Sequence, residues 1–392
     1  MSSLTALRAV EPLLLYASAA ALIFWGFYIP TRRRYALVLP VWALLGLSIQ
    51  GIDLLDWVPG LSYQFGMLLV LTFLGCPLVF GVREDSLRVE VAADGSRNWN
   101  LTTAYKLFNN PRWLPTKLER PPKSARATNS ALSRFVAYRL LKIAVLVGLK
   151  TGLNMVMVLI FAKCTLYDFS PAREPIIRRL FYESVTFHDL VVRAFVSTIW
   201  IFDSMSQLEI GHALMGILFA AIARLDEPHE WPPLFGNPLE AYSLKRFWGK
   251  VWHRLFASAG MWARALTDSV LFSWAPPMVK KAVVAFFIFT VSGLAHAIVG
   301  WKTGDSALDR DIFFFWGNFL GICVEMVVSR CIPSLPPSYM ILQRTGISVA
   351  TVEVLRRLLG FLWVSSFFMW LTPRLVYPKI YQLLVSMIGQ KF

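Results

Sequence analysis

Apolar positions run along this chain in long blocks, not in strict alternation and not in short amphipathic stretches. A helix that crosses a bilayer needs ~20 predominantly apolar residues. Blocks of that kind fall at 12–30, 36–52, 63–82, 143–162, 281–301, 312–329 and 355–373. A further apolar region, 189–224, is longer than any of them. Asp203, Gln207 and Glu209 sit inside it, yet no Gly or Pro between 203 and 209 offers a turn. One long helix, covering ~50 Å and so able to cross and protrude, is therefore expected there, with two spans joined by a tight turn at those residues as the alternative. The pattern predicts an all-α, polytopic helical membrane protein of about eight transmembrane helices. Segment 379–392 is too short to cross and is expected in the interface. The absence of alternating ten-residue strands argues against a barrel.

Polar positions then set the orientation. Arg32-Arg33-Arg34 follows the first block, Asp53 and Asp56 lie in the next loop, and 83–142 is rich in Lys, Arg, Pro and Asn. The positive-inside rule places 31–35 and the basic loop 83–142 in the cytosol and the N-terminus in the lumen. Asn100 heads the one glycosylation sequon and is expected to be unmodified, because this map puts it in the cytosol. Ala17-Ser18-Ala19 has the look of a cleavage site, but apolar residues continue past it, so the first block is expected to remain as a membrane helix. No internal repeat and no separate soluble domain is evident, so 1–392 is expected to be a single membrane domain.

Composition agrees with this. Hydrophobic residues make up 56% of the 392 and charged residues 16%, too few charges for a soluble domain. The net charge of +15 gathers in loops beside apolar blocks, which suits topology, anionic lipid or an anionic substrate better than nucleic acid. Cys76, Cys164, Cys323 and Cys331 are scattered without a C-x-x-C pair, so neither a disulfide framework nor a metal site is expected.

The connection 225–280 is the most distinctive. It opens with DEPHEWPPLFGNP, whose prolines keep the chain extended, and continues as SLKRFWGKVWHRLF over 243–256. Ser243 is a good N-cap and no Pro follows until 276, so a short helix is expected over 244–257. On such a helix Arg246, Lys250 and Arg254 share a face with His253 beside it, while Trp248 and Trp252 share another. Gly249 lowers helix propensity, which suggests a close approach at that point. An interfacial amphipathic helix explains the aromatic and basic pattern. A basic face that meets the phosphates of an anionic acyl carrier explains it as well, and one helix can do both.

FIFTVSGLAHAIVGW, residues 287 to 301, contains His296 inside a strongly apolar block. An ionisable residue there points to function, although a histidine bonded across two helices is the structural alternative. An imidazole in an apolar setting is neutral near pH 7 and can take a proton from an alcohol. Ser292 lies one turn away on the same face, and Gly293 and Gly300 leave room for a substrate or a neighbouring helix. Ser292 and His296 as nucleophile and base lack an evident third member. If the helix starts near Lys281, His296 lies ~22 Å along it, past the midplane.

Other constellations are weaker. Glu209-x-x-His212 has half of a di-iron spacing but no second copy. His188-Asp189 is expected to cap a helix, and Asp226, Glu227, His229 and Glu230 to form a solvated loop. Walker and dinucleotide-binding glycine motifs are absent from the sequence.

Taken together, WPPLFGNPLEAYSLKRFWGKVWH and the Ser292-Gly293-Leu294-x-His296 block resemble the wax-synthase branch of the membrane-bound O-acyltransferases. The likeness is specific over 231–301 within the signature region 225–301, and Arg97, Trp99 and Asn100 in 95–115 loosely resemble another family block. The resemblance implies a multi-pass enzyme of the endoplasmic reticulum with an intramembrane reaction chamber, entered by acyl-CoA from the cytosol and by a lipophilic alcohol from the bilayer. It implies that His296 is the general base for direct attack on the thioester. His253 stands where many relatives carry Asn and would bind or polarise the acyl carbonyl, as a neutral donor or as a cation. Arg246, Trp248, Lys250, Trp252 and Ser292 become the expected substrate and acyl-CoA contacts, with no bound cofactor and no metal.

The chain also resembles fungal members of that branch, which acetylate hydroxyls of terpenoid, meroterpenoid and related secondary metabolites. Acetyl-CoA is then the expected donor, with long-chain wax-ester or sterol-ester synthesis as the nearest rival. A lipid or metabolite transporter is the reading from another class; it predicts paired half-helices and an inverted repeat, and the sequence has neither. Acceptor identity, hydroxyl position and oligomeric state have no sequence signal.

Overall fold

The computed structural model describes residues 3–56, 60–82, 101–114, 128–183, 185–305, 307–331 and 348–389, and among them no strand occurs. The main helices are α1 (Ser3–Gly26), α2 (Val38–Ser48), α3 (Leu61–Phe80), α4 (Leu101–Phe108), α5 (Asn129–Phe161) and α6 (Ile176–Tyr182). They are followed by α7 (Phe187–Gly216), α8 (Ala257–Thr267), α9 (Pro277–Lys302), α10 (Leu308–Cys331) and α11 (Val349–Gly389). Eight helical segments among the described residues are long and apolar enough to cross a membrane. They fall where the hydrophobic blocks predict. The contested region 189–224 is one helical span, Phe187–Ile222, whose last turns wind as a π-helix over Ile217–Ile222.

Three expectations need correction. The helix expected over 244–257 ends at Val251, after an α-turn at Leu244–Arg246 and a π-helix over Phe247–Val251. Segment 379–392 is not a separate interfacial piece, since 379–389 continues α11 beyond Pro373 and Pro378. The helix carrying His296 starts at Pro277, where a proline at the first turn needs no amide partner. His296 is therefore ~29 Å along α9, further than expected. In addition, α5 begins at Asn129, so the last part of 83–142 is helical. Arg97, Trp99 and Asn100 lie outside the described residues.

The chain forms two compact units, one drawn from 1–126 and 254–312, the other from 127–253 and 313–392. In the first, Ile23, Phe27, Val41, Ile52, Leu55, Leu69, Phe80 and Val299 form a buried core. Pro12 interrupts the amide ladder of α1, and its carbonyl accepts the Ser48 hydroxyl at 2.7 Å. A Cβ on Gly66 would press into Val299 and Ile52, so this glycine lets α3 and α9 approach closely.

In the second unit, α5 packs beside α7, and α7 beside α11. Polar side chains join the first pair: Lys142 bonds Glu209, and Lys150 bonds Asp203 at 2.5 Å. Arg193, fully buried on α7, donates to the Met369 carbonyl at 3.2 Å and to the Glu174 carbonyl at 2.9 Å. Such pairings are what an apolar medium demands of ionisable groups.

Candidate functional site

The first cluster lies in the unit built from 127–253 and 313–392, around the stretch 243–253. Ser243 caps the helical turn through a hydrogen bond from the Arg246 amide at 3.2 Å. The Glu325 carboxylate on α10 accepts the Leu244 amide at 2.6 Å, the Lys245 amide at 3.0 Å and the Trp363 indole at 2.7 Å. A carboxylate at the start of a helical turn satisfies amides that have no partner within the turn.

At the other end the Trp252 amide donates to the Phe247 carbonyl at 2.7 Å, an i to i+5 bond that closes the π-turn. The Gly236 amide takes the Val251 carbonyl at 2.9 Å, and Trp252 turns extended with ψ 152°. The helix stops because its last carbonyl is already engaged. A Cβ on Gly236 would overlap the Lys250 carbonyl, whereas one on Gly249 would meet nothing within 4 Å. The close approach expected at Gly249 is therefore at Gly236.

Trp252 stacks on Phe247 at 5.3 Å and meets Phe235 edge-on at 5.4 Å and Trp248 at 5.4 Å. Trp248 donates its indole to Asn318 Oδ1 at 2.9 Å, and Asn318 is fully buried on α10. His253, half-buried, sits edge-on to Phe235 at 5.6 Å and beside Trp252 at 5.5 Å. Arg246 and Lys250 do share a face, and both meet Glu240: Arg246 as a direct ion pair, Lys250 at 3.5 Å. Arg246 also lies over the Tyr242 ring at 4.3 Å. Lys250 is 57% exposed and remains accessible to an anion. Arg254 falls beyond the helix end and does not share that face.

The second cluster lies in the unit built from 1–126 and 254–312. His296 on α9 is half-buried, and its Nδ1 is hydrogen-bonded to the Tyr63 hydroxyl near the start of α3. Ser292 is buried one turn before it. One turn after it, Gly300 lies under two carboxylates: a Cβ there would be 3.5 Å from Asp305 Oδ2 and 3.8 Å from Asp311 Oδ2. Both carboxylates act electrostatically on Tyr63, and Asp311 is buried. When Nδ1–H is donated to the phenol oxygen, the other nitrogen of such an imidazole is the one able to take up a proton.

His296 and Ser292 belong to one compact unit, while Arg246, Trp248, Lys250, Trp252 and His253 belong to the other. Sequence reasoning missed Tyr63, Asn318 and Glu325. The signal for the last two was available: both are polar residues inside an apolar block, seven positions apart and so on one face. Tyr63 carried no such signal, because tyrosines near span ends are common.

The weaker constellations resolve as structure. Glu209 is held by Lys142, and His212 lies 3.5 Å from Arg139 and against the Trp231 ring. Asp189 forms a capping box with Thr186 and ion pairs with Arg173 and Arg179. The hydrogen bonds that Arg179 donates to Asp189, with the charge of that carboxylate, push the guanidinium above its ordinary value. Glu227 and Glu230 cap a short turn, and Asp226 accepts the Trp231 indole at 3.1 Å.

Comparison with known proteins meets this geometry. Residues 231–317 match the model of the membrane bound O-acyl transferase family. The chain is similar to Acetyltransferase spyB of Aspergillus fumigatus, 28% identical over 46% of this chain and 31% of that protein. It is 29% identical to Acetyltransferase atnC of Arthrinium sp over 50% of this chain and 44% of the relative. It is 31% identical to Acetyltransferase nanB of Aspergillus nanangensis over 43% and 39% respectively. The chain thus spans less than half the length of each of these three relatives. No solved structure matches it.

Proposed function

We propose that this chain is a membrane-embedded O-acyltransferase that moves an acyl group, acetyl in its natural reaction, from acyl-CoA to a hydroxyl of a lipophilic secondary metabolite. The observation that carries the reading is His296: an imidazole in an apolar span, held at Nδ1 by Tyr63, within the segment that matches the family. The acetyltransferase names of the relatives support acetyl as the group transferred.

With Nδ1–H donated to Tyr63, Nε2 presents its lone pair. Nε2 takes the proton of the acceptor hydroxyl as the oxygen attacks the thioester carbonyl. The carbon–sulfur bond then breaks, and the CoA thiolate recovers the proton from the imidazolium. Asp305 and Asp311 stabilise that imidazolium while it lasts. His253 is assigned to the acyl carbonyl by the family resemblance, and Lys250 with Arg246 to the phosphates of the carrier. The endoplasmic reticulum and a terpenoid or meroterpenoid acceptor complete the reading by the same resemblance.

The test is release of CoA thiol by membranes carrying wild type or His296→Ala, with acetyl-, octanoyl- and palmitoyl-CoA and a panel of lipophilic alcohols. Alcohol-dependent release should fall by roughly 10²–10⁴-fold in the variant. Undiminished release would remove His296 from the chemistry. Preference for palmitoyl-CoA would replace acetyl transfer with wax-ester or sterol-ester synthesis.

A further inference from the structure

In the unit built from 127–253 and 313–392, the connection between α5 and α7 brings together three side chains that the proposed reaction does not use. Cys164 Sγ, a carboxylate oxygen of Asp168 and a ring nitrogen of His188 all lie within 4.8 Å of one another. Asp168 Oδ1 and His188 Nε2 are 3.5 Å apart. No other such group of three occurs among the described residues.

Local structure sets each donor independently. α5 ends at Phe161, three residues before Cys164. Asp168 closes a turn by accepting the Thr165 amide at 2.7 Å and the Thr165 hydroxyl at 3.0 Å, both through Oδ2. Its other oxygen, Oδ1, is the one that faces His188. The capping box of Thr186 and Asp189 then presents His188 in the first turn of α7.

We propose that Cys164, Asp168 and His188 form a divalent-cation site of the zinc class, tying the end of α5 to the start of α7. Ligand bonds of ~2.0–2.3 Å in a tetrahedral shell put donor atoms ~3.3–3.8 Å apart, a spacing that small side-chain rotations reach from the observed one. One sulfur, one imidazole nitrogen and one carboxylate oxygen suit zinc better than magnesium or calcium, which take oxygen shells. Three protein ligands leave the fourth position to water. Binding displaces the thiol proton to solvent, and no electrons move. A cysteine nucleophile activated by His188 is the competing use of the same groups. The geometry favours the metal reading, because His188 Nε2 faces Asp168 Oδ1 at 3.5 Å and so is set beside the carboxylate as a co-ligand.

The experiment uses the full chain purified in detergent, loaded with Zn²⁺ alone and desalted before metal analysis, with Co²⁺ in a parallel sample. Wild type should keep about one zinc per chain and give a thiolate-to-cobalt charge-transfer band in the near ultraviolet. Cys164→Ser and His188→Ala should lose the band and weaken zinc binding by at least about tenfold. Cys76→Ser and Cys323→Ser should keep both. Size-exclusion chromatography checks that each variant is folded, and His188→Ala decides if Cys164→Ser is not, since His188 is 41% exposed. Folded wild type without zinc, or ligand variants that bind as wild type does, would overturn the site.

Discussion

Removing the Tyr63 hydroxyl while keeping its ring isolates one contact, the hydrogen bond to His296 Nδ1. On the proposed mechanism the imidazole can then turn, and the tautomer protonated at Nδ1 is no longer favoured. Tyr63→Phe should therefore lower kcat by about tenfold, the worth of one hydrogen bond that holds the base, and leave the KM for acyl-CoA nearly unchanged. Steady-state kinetics at several donor concentrations would read this split, and an unchanged kcat would make Tyr63 a packing residue. Individual side chains were legible in the sequence where their chemistry conflicts with their surroundings. His296 stood out as an imidazole in an apolar block, and the capping role of Asp189 followed from its position before one. Tyr63 did not, since its bond to His296 joins positions 233 residues apart and no local pattern encodes that pairing. The zinc-class trio escaped for the same reason: Cys164 and Asp168 are close in sequence, but the third member waits at the head of the next span.

At the scale of elements, hydrophobic length was enough to place the spans, and it failed where backbone hydrogen bonding overrides propensity. The segment 244–257 follows a good N-cap and contains no Pro, yet the Gly236 amide donates to the Val251 carbonyl and the helix ends there. Residues 379–389 are short as a separate apolar block, but α11 carries them past two prolines as one helix. The pairing of α5 with α7 adds a test at this scale. Glu209 is buried and held by Lys142, so Glu209→Leu strands the lysine ammonium against apolar surroundings. That single change should destabilise the protein by about 3–5 kcal/mol, while Glu209→Leu with Lys142→Met should recover most of the loss. Thermal unfolding in detergent distinguishes the two, and equal melting of both variants would show that the pair is not coupled. Lys150 and Asp203 are each about a third exposed and should contribute no more than ~1 kcal/mol.

For the whole molecule, the number of spans and the direction of insertion decide which side of the membrane each site faces. Eight crossings by the helices long and apolar enough among the described residues, an even number, would put both ends on one side, and the positive-inside rule applied to the arginines at 32–34 makes that side the lumen. On this map the connection 163–186 is lumenal and the stretch 243–253 is cytosolic. His296 is six residues before the end of α9, so it lies ~9 Å from the lumenal end of that span. Glycosylation tags placed at the N-terminus and after Phe392 should both be modified in microsomes, and Asn100 should not. A tag modified at one end alone would mean an odd number of crossings, with Phe187–Ile222 failing to cross as one helix. Modification of Asn100 with neither tag would invert the map and put His296 near the cytosolic face.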